Sequence, residues 1–208
     1  RPITLAARDG TVLHGYLVLP PGREPRGVPM VVNPHGGPHG VRDTWGFDEE
    51  AQLLASRGYA VLKVNFRGSG GYGGAFERAG YRQWGGLMQD DIADATRWAV
   101  REGIADGERV CVYGASYGGY SAMMQAARHG ELYRCAIGYV GVYDLALMYQ
   151  EGDVRRTMFG RSYLERILGR SNLSAMSPVN LADRIGVPVM LVHGAEDQRA
   201  PQTHADRI

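Results

Sequence analysis

Five residues, Gly114-Ala115-Ser116-Tyr117-Gly118, follow directly on the apolar run Arg109-Val110-Cys111-Val112-Tyr113. Behind them, Tyr120, Met123, Met124 and Ala127 recur at helical spacing. A strand must therefore turn into a helix across a serine, and only small flanking residues let the two backbones approach so closely. Gly-x-Ser-x-Gly is a weak pattern alone, and its place between strand and helix gives it weight. At the apex of such a turn the Ser116 hydroxyl projects above the sheet, where a nucleophile would stand. The competing reading is a glycine-rich turn whose serine merely caps the helix.

The rest of the chain repeats the strand-to-helix alternation. Apolar runs at 3–6 and 12–19, joined by Asp9-Gly10, predict an antiparallel hairpin. Short, nearly continuous apolar runs follow at 30–33, 59–66, 110–113, 135–140 and 187–192. Between them, Phe47, Ala51 and Leu54 predict a helix stopping at Gly58, and Met88, Ile92, Ala95 and Ala99 predict another. Residues 144–177 are mixed, with short helices expected. Strands of this kind are buried on both faces by helices, so the expected architecture is α/β, a mostly parallel sheet behind antiparallel N-terminal strands. The 208 residues suit one domain.

With 23 basic and 22 acidic residues the net charge is +1, which suggests neither a nucleic-acid nor an acidic-membrane partner. Lys63 is the only lysine, and compositional bias accounts best for so many arginines. No apolar run approaches the ~20 residues of a membrane helix, and no signal peptide is visible at Arg1. A chain that opens without methionine leaves room for a removed targeting segment. The cytoplasm is slightly favoured, with the periplasm or secretion open. Cys111 and Cys135 fall in predicted strands and are expected to act as small core hydrophobes rather than as a disulfide framework.

The loop Asn33-Pro34-His35-Gly36-Gly37-Pro38-His39-Gly40 follows the first predicted parallel strand. Acyl transfer needs N–H donors aimed at a developing oxyanion. In such sheets one donor is the amide after the nucleophile, here Tyr117, and Gly37 can supply the other. His35 and His39 have metal-like spacing but sit on a Gly/Pro loop without a third ligand, so no metal is expected. Gly68, Gly70 and Gly73 form a G-x-G-x-x-G pattern. It follows a later strand, and no helix is predicted before Met88, which argues against a dinucleotide loop. Asp197, in the exit loop His193-Gly194-Ala195-Glu196-Asp197, is placed to orient a catalytic imidazole, with Glu196 the substitute.

These segments occur together with Asn65-Phe66-Arg67-Gly68-Ser69-x-Gly71-Tyr72-Gly73 and Ser177-Pro178. In that order, from about residue 3 to the end, they resemble the catalytic domain of the prolyl oligopeptidase family of serine peptidases. The match is closest to its acylaminoacyl-peptidase and dipeptidyl-aminopeptidase branch. The resemblance implies an α/β-hydrolase fold, Ser116 as nucleophile, Asp197 as triad acid, and oxyanion donors at Gly37 and Tyr117. It implies short or N-acylated peptides as substrates and no cofactor. Family members also carry an N-terminal β-propeller, of which nothing is found here, so 1–208 is expected to be one hydrolase domain cut from a larger protein.

The family order is serine, acid, histidine. Only His204 follows Asp197, and seven residues cannot hold a helix and a strand, which need roughly 25. The base, with the last strand and helix, is therefore expected beyond Ile208. Two expectations follow: this chain alone is nearly inactive, and its exposed sheet edge invites homo-oligomers. The alternatives are a carboxylesterase or lipase using the same elbow, and a non-catalytic hydrolase-like interaction domain. Tyr143, Met148, Tyr149 and Phe159 could line a side-chain pocket, though ordinary core packing is expected of each.

Overall fold

The computed structural model describes residues 1–22 and 24–208. Alternating burial builds the opening hairpin. In β1 (Pro2–Ala6) and β2 (Val12–Val18), Ile3, Leu5, Leu13 and Leu17 face inward. Gly10 takes φ +83° in the connecting turn, and Leu5 stands opposite Leu13.

The parallel part contains β3 (Val28–Val32), β4 (Ala60–Asn65), β5 (Ala105–Ala115), β6 (Cys135–Tyr139) and β7 (Val189–Val192). All seven strands form one sheet in the order β1-β2-β4-β3-β5-β6-β7. Only the β1–β2 and β2–β4 pairings are antiparallel. β5 begins five residues before the predicted run. Its first half is Asp106, Gly107, Glu108 and Arg109, which fall in the irregularity between the Ala105–Val28 and Val110–Met30 pairings and are not buried, so no hydrophobic pattern marks them.

Helix α1 (Glu49–Ser56) packs over β4, and its N-terminus is capped by Asp48, which accepts from the Ala51 N–H at 2.9 Å. Gly58, φ +94°, ends it as expected, but Phe47 lies before the cap and is 81% exposed. Helix α3 (Leu87–Arg101) buries Met88, Ile92, Ala95 and Ala99 completely, the face that the spacing predicts. Helix α4 (Tyr117–Arg128) packs on β5, β6 and α3. The mixed region contains 3₁₀ turns at Leu147–Tyr149 and Val154–Arg156, then α5 (Met158–Ile167). A further 3₁₀ segment runs over Pro178–Arg184, and α6 (Thr203–Asp206) follows β7.

Three expectations are corrected. A five-residue helix, α2 (Gly74–Arg78), opens directly after Gly73, too short to show periodicity. Cys111 and Cys135 form a disulfide. They occupy directly opposed positions on the parallel neighbours β5 and β6, with Cα atoms 4.7 Å apart, within bridging distance. Strand β7 is apolar but not buried, with Val189, Met190 and Val192 at 42%, 58% and 38% exposure. It is the last strand of the sheet, hydrogen-bonded only to β6, and no helix packs extensively across its faces among the described residues.

Candidate active site

Ser116 sits between the end of β5 and the start of α4 with φ 56° and ψ −119°, a conformation costing about 1–3 kcal/mol in a non-glycine residue. Its surroundings over-determine that geometry. The Ser116 N–H donates to the Tyr139 carbonyl at 2.9 Å, and the Tyr120 N–H donates to the Ser116 carbonyl at 3.0 Å. A β-carbon at Gly114 would lie 2.5 Å from the Gly118 carbonyl carbon. The small residues of the motif are thus required by contact between backbones, as the sequence pattern implied.

The 33–40 loop reaches Ser116 from β3. Gly36 packs so that a β-carbon there would lie 3.6 Å from the Ser116 Cβ. Gly37 has φ +114°, joins Pro38 through a cis peptide bond, and is exposed to solvent. Neither the Gly37 nor the Tyr117 N–H finds an acceptor among the described residues. Ser116, Gly37 and Tyr117 line one cavity of about 780 Å³, together with Trp84, Val142, Met148, Phe159 and Tyr163. Phe159, expected in the core, is 78% exposed at this cavity, whereas Tyr143 is fully buried as expected. Trp84 and Tyr163 carry no local sequence signal: only long-range packing brings them to Ser116. A cavity of about 500 Å³ beside Trp45 and Lys63 has the polar lining of Thr44 and Asp48 but no residue with a backbone like that of Ser116.

The Asn65–Gly73 motif shapes the wall beside this loop. The Asn65 side chain accepts from the Asp43 N–H at 2.8 Å and donates to the Tyr72 hydroxyl at 2.8 Å. Arg67 donates to both oxygens of Asp91 on α3, at 2.8 and 2.6 Å, and pairs with Asp9 of the hairpin at 2.9 Å. The hydrogen bond to Asp91, strengthened by Asp9, holds the Arg67 proton more tightly than usual. Ser69 Oγ meets His35 Nε2 at 2.8 Å, and the His35 ring stacks on Phe66 with centroids 4.4 Å apart. Burial lowers the His35 pKa. The glycine-rich segment is thus a clamp across hairpin, loop and helix.

Asp197 lies in an adjoining depression, and Arg156 lines both it and the Ser116 cavity. Its Oδ1 accepts from the N–H groups of Arg199 and Ala200, at 2.8 and 2.9 Å. The loop is tied to the cavity wall by the Arg199–Asp153 ion pair at 2.6 Å. Glu196 lines the same depression.

Every imidazole has another occupation. His39 Nε2 accepts from Trp84 Nε1 at 3.0 Å, and burial pushes His39 down to about 4. His193 Nε2 meets the Ala200 carbonyl at 2.6 Å, and His204 Nδ1 accepts from the Tyr143 and Asp144 N–H groups at 3.2 Å. His14 stacks on Tyr72, and His129 lies 3.4 Å from Asp90. None of the six hydrogen-bonds Ser116. No cluster of three or more metal-ligating side chains occurs among the described residues.

The family model described as the prolyl oligopeptidase family matches residues 45–208. Dipeptidyl aminopeptidase BIII of Pseudoxanthomonas mexicana is 36% identical across the whole chain, which covers 32% of that protein. A puromycin-hydrolyzing peptidase of Mycobacterium tuberculosis superposes with a TM-score of 0.89 at 30% identity, over all of this chain and 32% of that one. The acylaminoacyl peptidase of Pyrococcus horikoshii gives 0.88 at 28% identity, over 98% of this chain and 33% of that one. The chain has the α/β-hydrolase fold and spans about a third of the length of these relatives.

Proposed function

The chain belongs to the prolyl oligopeptidase family, and we propose that in the intact protein Ser116 is the nucleophile of a serine peptidase acting on short peptides. The observation that carries this reading is the strained Ser116 backbone facing a cavity beside two unpaired N–H groups.

The chemistry runs as an acyl transfer. Ser116 Oγ attacks the scissile carbonyl and gives its proton to an imidazole base, while the Gly37 and Tyr117 amides receive the oxyanion. The protonated base then delivers that proton to the leaving amine, and water later releases the acyl group from Ser116. Asp197 orients the imidazole and stabilises its charged form. None of the six imidazoles described hydrogen-bonds Ser116, and in this reading the base is a histidine outside residues 1–208. The relatives' names favour release of an acylated residue or a dipeptide.

Fluorophosphonate labelling combined with hydrolysis of aminoacyl-arylamides and matched esters tests the proposal on the intact protein. Rapid labelling at Ser116 with arylamide cleavage, both lost in Ser116→Ala, is the expected result, the loss being about 10⁶-fold in kcat. Ester cleavage alone would turn the reading to a carboxylesterase, and an unlabelled Ser116 would overturn it.

A further inference from the structure

Two adjoining depressions outside the Ser116 cavity share Arg82. The first, against α5, is lined by Arg82, Arg161, Arg166 and Arg170, with Glu165 its one carboxylate. The second carries Arg82, Arg128 and Arg184 and no carboxylate. The chain as a whole is nearly balanced, 23 basic residues against 22 acidic, yet this track gathers six arginines around one glutamate. Arg170 pairs with Glu165 at 2.6 Å and Arg128 with Asp90 at 3.2 Å. Arg82, Arg161, Arg166 and Arg184 have no carboxylate partner among the described residues. Concentrated charge of one sign attracts a ligand of the other.

The track is built rather than loose. Arg82, at the junction, has φ +58°, an uncommon conformation for a non-glycine residue. Its N–H donates to the Ile167 carbonyl at 2.6 Å, and its guanidinium reaches over Gly169 to the Glu165 carbonyl at 3.4 Å. Arg166 lies over the Tyr81 ring and Arg170 over Tyr149, at 6.0 and 4.5 Å. These rings are covered by guanidinium groups, so the track offers charge without the open stacking platforms that single-stranded nucleic acid uses.

The track lies across α5 from the cavity. Phe159 and Tyr163 of α5 line the Ser116 side, while Met158, Arg161 and Arg166 line the other. His39, a cavity residue, meets Tyr81 of the track edge-on at 5.1 Å. A helix is ~10 Å across, so about three extended residues at ~3.3 Å each would span the wall.

We propose that this arginine track binds a run of carboxylates in a peptide whose scissile bond lies at Ser116, so that the protein prefers substrates with an acidic stretch a few residues from the cut. The proposal rests on the peptidase reading for its catalytic consequence, but the binding is separable.

The Ser116→Ala protein is titrated, by fluorescence anisotropy, with a labelled peptide ending in a run of glutamates and with its glutamine counterpart. Binding of the acidic peptide should be about tenfold tighter, and raised salt should erase the difference. Arg161→Glu with Arg184→Glu, two exposed positions, should abolish the preference, and the two lysine replacements should retain it. In the active protein the same glutamate pair should raise KM for the acidic peptide about tenfold and leave kcat and the neutral peptide unchanged. Equal binding of both peptides, an unaltered preference in the charge-reversed protein, or displacement by a single-stranded oligonucleotide but not by free polyglutamate would overturn the proposal. A charge-dependent preference without any hydrolysis would instead sink the peptidase reading and leave the acidic-peptide site standing.

Discussion

Gly118, two residues after Ser116, lies so close to Pro34 that a β-carbon at Gly118 would fall 2.2 Å from the Pro34 carbonyl oxygen. The Gly37 loop and the helix following Ser116 therefore meet backbone to backbone, and no side chain can retreat to make room. Gly118→Ala should destabilise the protein by about 1–3 kcal/mol or more and reduce fluorophosphonate labelling of Ser116. Gly186→Ala, with nothing within 4 Å of the added carbon, is the control and should change neither. Equal melting temperatures for the two variants would refute the close approach.

The Arg67–Asp91 pair is the second target. Arg67 is 5% exposed and Asp91 fully buried. Removing one partner strands the other charge, so Asp91→Ala should cost about 3–5 kcal/mol in urea unfolding. The loss should exceed that in Asp9→Ala, because Asp9 is partly solvated. The reverse order would show that Asp91 is not the anchor.

His204 sets an expected pH dependence. Burial lowers its pKa to about 4, while in the unfolded chain it titrates near ~6.5. Between those values the unfolded state binds the extra proton. The stability present above pH ~6.5 is therefore lost progressively as pH falls towards ~4, by up to about 3 kcal/mol. His204→Asn keeps an acceptor for the Tyr143 and Asp144 N–H groups and removes the titration. Its stability should vary less across that window in denaturant titrations, and an unchanged slope would exclude His204 as the source.

The Cys111–Cys135 bridge is directly measurable. Peptide mapping of the unreduced protein should recover the two segments cross-linked, and reduction should lower the melting temperature by removing a constraint on a 24-residue separation. Free thiols at both positions in protein from an oxidising medium would contradict the pairing.

Local chemistry was legible from the residues wherever a rule acts over a few positions. The Asp9-Gly10 turn, the buried face of α3, the Gly58 helix stop and the small residues around Ser116 all have local causes, and each stands where the pattern placed it. Phe47 and β7 misled because apolar character indicates burial only when something covers the residue, and coverage is not local. The cysteines misled for a related reason, since their pairing depends on the β5–β6 register and not on their spacing.

The sequence by itself determined the strand-to-helix turn that lifts Ser116 and the glycine loop beside it, because backbone sterics act between near neighbours. It also determined the family to which the chain belongs. Only the tertiary structure decided which side chains wall the cavity, that the Asn65–Gly73 segment ties hairpin, loop and helix together, and that six scattered arginines converge on one track. Those arrangements depend on residues far apart in the chain meeting across packed elements, and charge and shape complementarity have no period along a sequence.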